Sequence, residues 1–413
     1  MLNLNILQAA TFALLLSAIS ASPIAELFGG GPKLPGDDPF YTPPRGYESA
    51  EPGAILRHRP VPQPLSTFKL VAAHQILFRT TDSFGRAVAT VTTVLVPPNA
   101  NKDRLLSYQV AEDAADVNCA PSYVFQQGSQ TGGLFGTIAT QAEMAIIEKA
   151  LEKGWYVAVP DFLGPRSAFL ANNLAGFAVL DGVRAALASS NFTQLAADPA
   201  VALWGYSGGS LASGFAAELQ PCYAPELKIL GAALGGTCPD ILSVLYTINK
   251  SVYAGLIGTG VVGLSNEYPE VASLIQEQLR PEKKAKLDGI RSQCLGAAVL
   301  SFLFQDIFAY VKDPGIFKGP VVLKVIAENN MGHSAPRIPL LVYKGVKDEI
   351  SPVADTDKLV KYYCDGGSAV DYRRIPTEGH LSLLGSGAST ALAWLDDRLT
   401  GAAVAGGCTT TSS

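Results

Sequence analysis

Val201-Ala202-Leu203-Trp204-Gly205-Tyr206-Ser207-Gly208-Gly209-Ser210-Leu211-Ala212 passes from an apolar stretch, through a turn of small residues, into an Ala/Leu-rich stretch. That order predicts a buried strand, a tight turn and a helix. Gly205, Ser207 and Gly209 form a G-x-S-x-G pattern inside the turn. A turn this tight holds its central residue in strained φ/ψ, so the positions two residues to either side must be small. Ser207 then projects above the sheet at a helix N-terminus, where the helix dipole and free N–H groups favour developing negative charge. The alternative is a structural glycine-rich turn; the flanking strand and helix argue against it.

A serine hydroxyl is a poor nucleophile without a base, and the base needs an orienting carboxylate. Downstream, Leu340-Leu341-Val342-Tyr343 leads into Lys344-Gly345-Val346-Lys347-Asp348-Glu349-Ile350-Ser351-Pro352. Asp348, in the loop after this apolar strand, is the candidate acid, and Glu349 beside it is the competitor. Residues 370–375 are expected as the last strand. Pro376-Thr377-Glu378-Gly379-His380-Leu381 follows, with His380 the candidate base. The chain order Ser207, Asp348, His380 is that of an α/β-hydrolase. His58 and His74 precede the serine and fit structural roles, and His333 is expected in a surface loop.

The rest of the chain fits such a fold. Residues 22–64 are rich in proline and glycine and are expected to form an extended arm. Strand signals follow at 68–71, 74–80 and 87–96, with Asp82-Ser83-Phe84-Gly85 as a hairpin turn. Short apolar runs at 105–110, 155–160, 201–204, 229–234 and 340–343 alternate with helical periods, for example at 137–153 and 176–188. Buried strands alternating with helices imply a mostly parallel sheet covered on both faces, an α/β fold. Between Gly236 and Pro336 the alternation lapses, with no core strand expected before about Val321. About 237–330 is therefore expected to be a helical cap, unusually apolar, inserted into one domain that spans 65–408. Residues 409–413 are expected to be a tail.

Of 413 residues, 48% are hydrophobic and 16% charged, against roughly 25% charged in an average domain. This excludes a disordered chain. A net charge of -5 argues against a nucleic-acid partner. Residues 1–21 have the apolar stretch and small-residue end of a secretory signal peptide, without a basic start. No later apolar run reaches the roughly 20 residues that span a bilayer. A soluble, exported, monomeric protein is expected. The six cysteines, Cys119, Cys222, Cys238, Cys294, Cys364 and Cys408, are then expected to form three disulfides, with 15 connectivities open. No C-x-x-C pair suggests a metal site. Asn191-Phe192-Thr193 and Asn249-Lys250-Ser251 are glycosylation sequons.

Together with Asp38-Pro39-Phe40-Tyr41-Thr42-Pro43-Pro44, Ser107-Tyr108-Gln109-Val110-Ala111-Glu112-Asp113, Cys119-Ala120-Pro121-Ser122-Tyr123, Tyr223-Ala224-Pro225-Glu226-Leu227 and Gly235-Gly236-Thr237, these motifs resemble the fungal secretory-lipase family, the lipase-A-like α/β-hydrolases. The resemblance runs from about Asp38 to Cys408. It implies a triad of Ser207, Asp348 and His380, and an oxyanion hole of Gly208 and Asp113. Without the family, Glu112 and Asp113 read as solvated loop acids. It also implies the disulfides Cys119–Cys294 and Cys364–Cys408, which leaves Cys222–Cys238 as an extra pair by elimination. In the family prototype a flap follows the last cysteine, whereas here Cys408 leads into Thr409-Thr410-Thr411-Ser412-Ser413, so no such flap is expected.

The expected activity is cofactor-free hydrolysis of carboxylic esters, most of all acylglycerols at a lipid–water interface, through an acyl-enzyme. A short-chain esterase and an inactive lipid-binding module are the alternatives.

Overall fold

The computed structural model describes residues 31–65, 69–129, 143–404 and 406–412. The signal segment, and part of the helix expected at 137–153, lie outside the described residues.

Among the described residues ten strands form one sheet: β1 (Ile55–Pro60), β2 (Ala72–Thr81), β3 (Ala87–Val96), β4 (Asn101–Gln109), β5 (Trp155–Pro160), β6 (Ala200–Tyr206), β7 (Ile229–Gly235), β8 (Leu340–Gly345), β9 (Val370–Ile375) and β10 (Cys408–Ser412). Their spatial order is β1-β2-β3-β5-β4-β6-β7-β8-β9-β10. The pairs among β1, β2, β3 and β5 are antiparallel, and every pair from β5 through β4 to β10 is parallel. The hairpin between β2 and β3 closes as expected. Asp82 Oδ1 accepts from Phe84 N and Arg86 N, both at 2.9 Å, and Gly85 takes φ 79°.

The central strands are apolar throughout because both faces are covered. Alternate residues of β6 divide between two cores: Val201 and Leu203 pack on one side, Ala202, Trp204 and Tyr206 on the other. Helices Asn172–Ala188 and Gly208–Tyr223 cover the first face with Val179, Val183, Leu211 and Phe215. Helices Met144–Glu152 and Ala388–Leu399 cover the second with Met144, Ile147, Ala391 and Leu395.

Several expectations are corrected at the edges. The N-terminal arm supplies β1, which pairs with β2. Residues 69–71 are not strand, and Val71 is exposed. The tail is instead β10, lying parallel to β9, so β9 is not the last strand. Pairing to a distant edge, rather than local pattern, sets these two outer strands. The β-branched run at 321–322 is helical, within Pro320–Asn329, because tertiary packing overrides a local β preference.

From the end of β7 to the start of β8 the chain is helix and loop, with one isolated bridge between Leu279 and Val311. The longest helix in this interval is Ala254–Glu267. No helix among the described residues is long and apolar enough to cross a membrane.

Candidate active site

β6 delivers Ser207 at φ 51°, ψ -120°, and the helix Gly208–Tyr223 begins at the next residue. Close backbone approach explains the flanking glycines. A Cβ on Gly205 would overlap the backbone of Gly209, and one on Gly209 would overlap Gln109 O. Ser207 N donates to Gly235 O at 2.9 Å, which fastens the turn to β7. Gly208, as the first helical residue, carries one of the N–H groups that a helix leaves without an internal partner.

The parallel order of the sheet brings the ends of β6, β8 and β9 to one rim. Asp348 follows β8, and His380 opens the helix His380–Ser386 after β9. His380 Nε2 lies 2.8 Å from Ser207 Oγ. Its Nδ1 lies 2.7 Å from Asp348 Oδ2. Asp348 Oδ1 accepts from Ile350 N at 2.9 Å and Ser351 N at 2.8 Å. Burial works against the charged carboxylate, but His380 and Lys344 outweigh it and hold the Asp348 carboxyl below the ordinary range. Glu349 does not reach the imidazole: its Oε2 accepts from His380 N at 2.7 Å, and its Oε1 from Tyr253 OH at 3.1 Å. Tyr206 OH donates to His380 O at 2.5 Å.

Asp113 reaches the same rim from the loop after β4, at φ 42°. Glu112 and Asp113 are not solvated acids, since both are buried. Burial pushes the Asp113 carboxyl up to about 7, with His380 and its own N–H pulling the other way. Glu112 is raised well above its ordinary value by burial and by the charge of Asp161, with Ser167 opposing. These acids sit inside because the loop after β4 is pinned from below: Glu143 Oε1 accepts from Ala111 N at 2.8 Å and its Oε2 from Tyr108 OH at 2.7 Å.

Lys344 was not singled out in the sequence. It is the fifth residue of β8 and wholly buried, its Nζ 2.7 Å from Asp348 Oδ2 and 2.8 Å from Thr237 O. No sequence signal marks a charge that is buried with a partner, since lysines are ordinarily exposed.

Ser207, Gly208 and Asp113 line a cavity with about 1280 Å³ of empty space, the solvent-filled mouth included. Its remaining wall is almost wholly apolar and includes Leu211, Ile241, Leu245, Ile257, Val261 and Ile307. Most of it comes from the segment between β7 and β8.

Disulfides Cys119–Cys294 and Cys364–Cys408 form. The first closes a separation of 175 residues, worth about 5 kcal/mol in the chain-entropy account, and joins the loop after β4 to the helical insertion. The expected Cys222–Cys238 pair does not form; both are free thiols. Cys238 lines the cavity beside Ser207, whereas Cys222 is exposed near the far end of the 16-residue helix that Ser207 begins, which spans about 24 Å. Asn191 is exposed in a short helix. Asn249 is partly buried, its Nδ2 donating to Asp306 Oδ1 at 2.9 Å and its Oδ1 accepting from Ile307 N at 2.8 Å. His333 is exposed, as expected of a surface loop.

The family described as "Secretory lipase" matches residues 129–407. Lipase A of Arthroderma benhamiae is 48% identical over 425 residues, covering 100% of this chain and 91% of that protein. Lipase 5 of Candida albicans is 40% identical over 402 residues, covering 93% and 86%. The solved structure of Candida antarctica lipase A in its closed state matches with a TM-score of 0.86 at 31% identity, over 93% of this chain and 91% of that one. A rice cell wall degrading esterase, LipA from Xanthomonas oryzae, shares the fold at a TM-score of 0.66 and 14% identity, over 86% and 100%.

Proposed function

The chain belongs to the secretory lipase family, and on that premise we propose that it hydrolyses acylglycerol esters through an acyl-enzyme on Ser207. One observation carries the reading: His380 bridges Ser207 Oγ and Asp348 Oδ2 at the wall of an apolar cavity.

Ser207 Oγ attacks the ester carbonyl and His380 Nε2 takes its proton. Asp348 holds the imidazole with Nδ1 protonated and stabilises the imidazolium. Charge on the carbonyl oxygen is met by the N–H groups of Gly208 and Asp113 as the charge develops. Collapse breaks the ester C–O bond, and the alcohol leaves with the proton from His380. Water, deprotonated by His380, then attacks the acyl-Ser207 carbonyl; collapse breaks the bond from the acyl carbon to Ser207 Oγ, His380 returns the proton to Oγ, and the fatty acid is released. The acyl chain occupies the apolar cavity, where burial supplies about 0.8 kcal/mol per methylene. These chemical steps call only on side chains and backbone groups.

The cavity favours a fatty acyl chain over the short acyl group of the esterase reading. The protein acts after export, at a lipid–water interface, and Asn191 is the more open sequon for a glycan. The test is Ser207→Ala. Ester hydrolysis is expected to fall by several orders of magnitude with the fold intact, and a folded, active Ser207→Ala enzyme would overturn the reading.

A further inference from the structure

Asp348 Oδ2 has two partners, not one. His380 Nδ1 lies 2.7 Å from it, and so does the buried ammonium of Lys344. The lysine is fixed from the other side by Thr237 O at 2.8 Å, a carbonyl that also accepts from Thr356 Oγ1 at 3.3 Å. Burying an ammonium costs free energy that only good pairing offsets. Asp348 is already fixed by two backbone N–H groups through Oδ1 and by His380 through Oδ2, so orientation alone does not call for a fourth partner carrying a full charge.

We propose that Lys344 is a charge-balancing, positioning residue that limits how strongly Asp348 holds a proton on His380, and so extends ester hydrolysis towards acid pH. The inference rests on the Ser207–His380–Asp348 reading above. An unbalanced carboxylate stabilises the imidazolium in the transition state, but also in the resting enzyme, where a protonated His380 is no base. A cation one shared oxygen away weakens both effects, and the resting one governs the acid side. Two other groups around the pair are acidic and pull the opposite way: Glu349 holds the His380 backbone N–H, and Asp355 interacts with Lys344. Asp113 faces His380 across the rim, but burial pushes its carboxyl up to about 7, so it loses its charge as the pH falls below that value. Tyr206, with its ring 5.4 Å from that of His380, and the buried Cys238 thiol stay neutral through the acid range. Among these groups Lys344 is the cation.

The test is the pH dependence of kcat/KM on a soluble p-nitrophenyl ester for wild type, Lys344→Gln and Lys344→Met. Circular dichroism monitors folding, and a fluorophosphonate probe counts competent Ser207. Gln keeps a donor and removes the charge; Met removes both. The acid limb is expected to move up by about one pH unit in both variants, with KM within about twofold of wild type. A limb that stays in place in folded Lys344→Gln overturns the proposal. So does a limb that moves in Met and returns in Gln, since Lys344 would then act only as a hydrogen-bond donor. Should Lys344→Met fail to fold, Lys344→Gln decides alone. Failure of the triad reading would appear separately, as retained activity in Ser207→Ala.

Discussion

Gly208 lies against the carboxyl group of Asp113, so that a Cβ on Gly208 would overlap Asp113 Oδ1. The two residues proposed to hold the oxyanion are thus in contact before any substrate arrives. Gly208→Ala must displace the Asp113 carboxyl, and the gap between the two donors is expected to widen if the loop follows it. Loss of one such donor costs about 10²–10³-fold in kcat. Gly208→Ala is expected to fall in that range, measured on a soluble ester, with an unchanged circular-dichroism spectrum. Near-wild-type turnover would show that the Asp113 side chain can move without its N–H moving.

Asp348 and Glu349 are neighbours with separate jobs. Asp348 meets the imidazole ring at Nδ1, while Glu349 meets only the backbone N–H of His380. Asp348→Asn presents an amide that favours the wrong tautomer of His380, with an expected loss of about 10⁴-fold in kcat. Glu349→Gln keeps an acceptor for that N–H and is expected to lose less than about tenfold. Steady-state kinetics on both variants checks the pair, and equal losses would count against Asp348.

Four buried carboxyls give the fold an unusual pH dependence. Burial pushes Asp113 and Asp161 up to about 7 and Glu143 up to about 8, and it raises Glu112 well above its ordinary value. Between roughly pH 4 and pH 8 the folded chain therefore keeps protons that the unfolded chain loses, and stability falls as pH rises through that window. Asp348 acts in the opposite sense, its contribution being present above the ordinary carboxylate range and lost only in stronger acid. Tm is expected to decline from about pH 5 to pH 8. Glu143→Gln, able to keep contact with Ala111 N and Tyr108 OH, is expected to shallow that decline. A Tm that rises over the window in wild type would refute the assignment.

The thiols can be counted directly. Cys222 is exposed, whereas Cys238 is buried and its thiol is pushed up to about 12, chiefly by burial. Ellman's reagent is expected to titrate one thiol in the native protein and two after unfolding without reductant. No thiols in the unfolded chain would restore the Cys222–Cys238 bond.

What was legible in the sequence follows from how local each signal is. The Ser207 turn could be read because strand, small-residue turn and helix are contiguous, and Asp348 and His380 because each directly follows an apolar strand. β1 and β10 were hidden because their pairing partners are distant in sequence and their own segments look like an arm and a tail. Counting cysteines into pairs failed at Cys222 and Cys238, since an even number says nothing about where they lie: Cys222 is near the C-terminal end of the helix Gly208–Tyr223, whereas Cys238 is in the loop after β7 and lines the cavity. Lys344 was missed for a different reason: only the folded sheet reveals that its ammonium has two fixed acceptors.

The cavity wall makes chain-length preference adjustable. Val261 lies in the helix Ala254–Glu267 and lines the cavity that Ser207 also lines. Val261→Trp adds a ring to space that an acyl chain would fill, without touching Ser207, Asp348 or His380. If the ring excludes about four methylenes, each worth about 0.8 kcal/mol, the loss for a long-chain ester is about 3 kcal/mol, or on the order of 100-fold in kcat/KM. A butyrate ester, too short to meet the ring, is expected to keep its rate within about threefold. A series of p-nitrophenyl esters from acetate to palmitate measures both ends on one enzyme. Equal losses at every length would mean that the helix has moved or that the chain lies elsewhere. A loss confined to palmitate and its neighbours would place the acyl group along this wall.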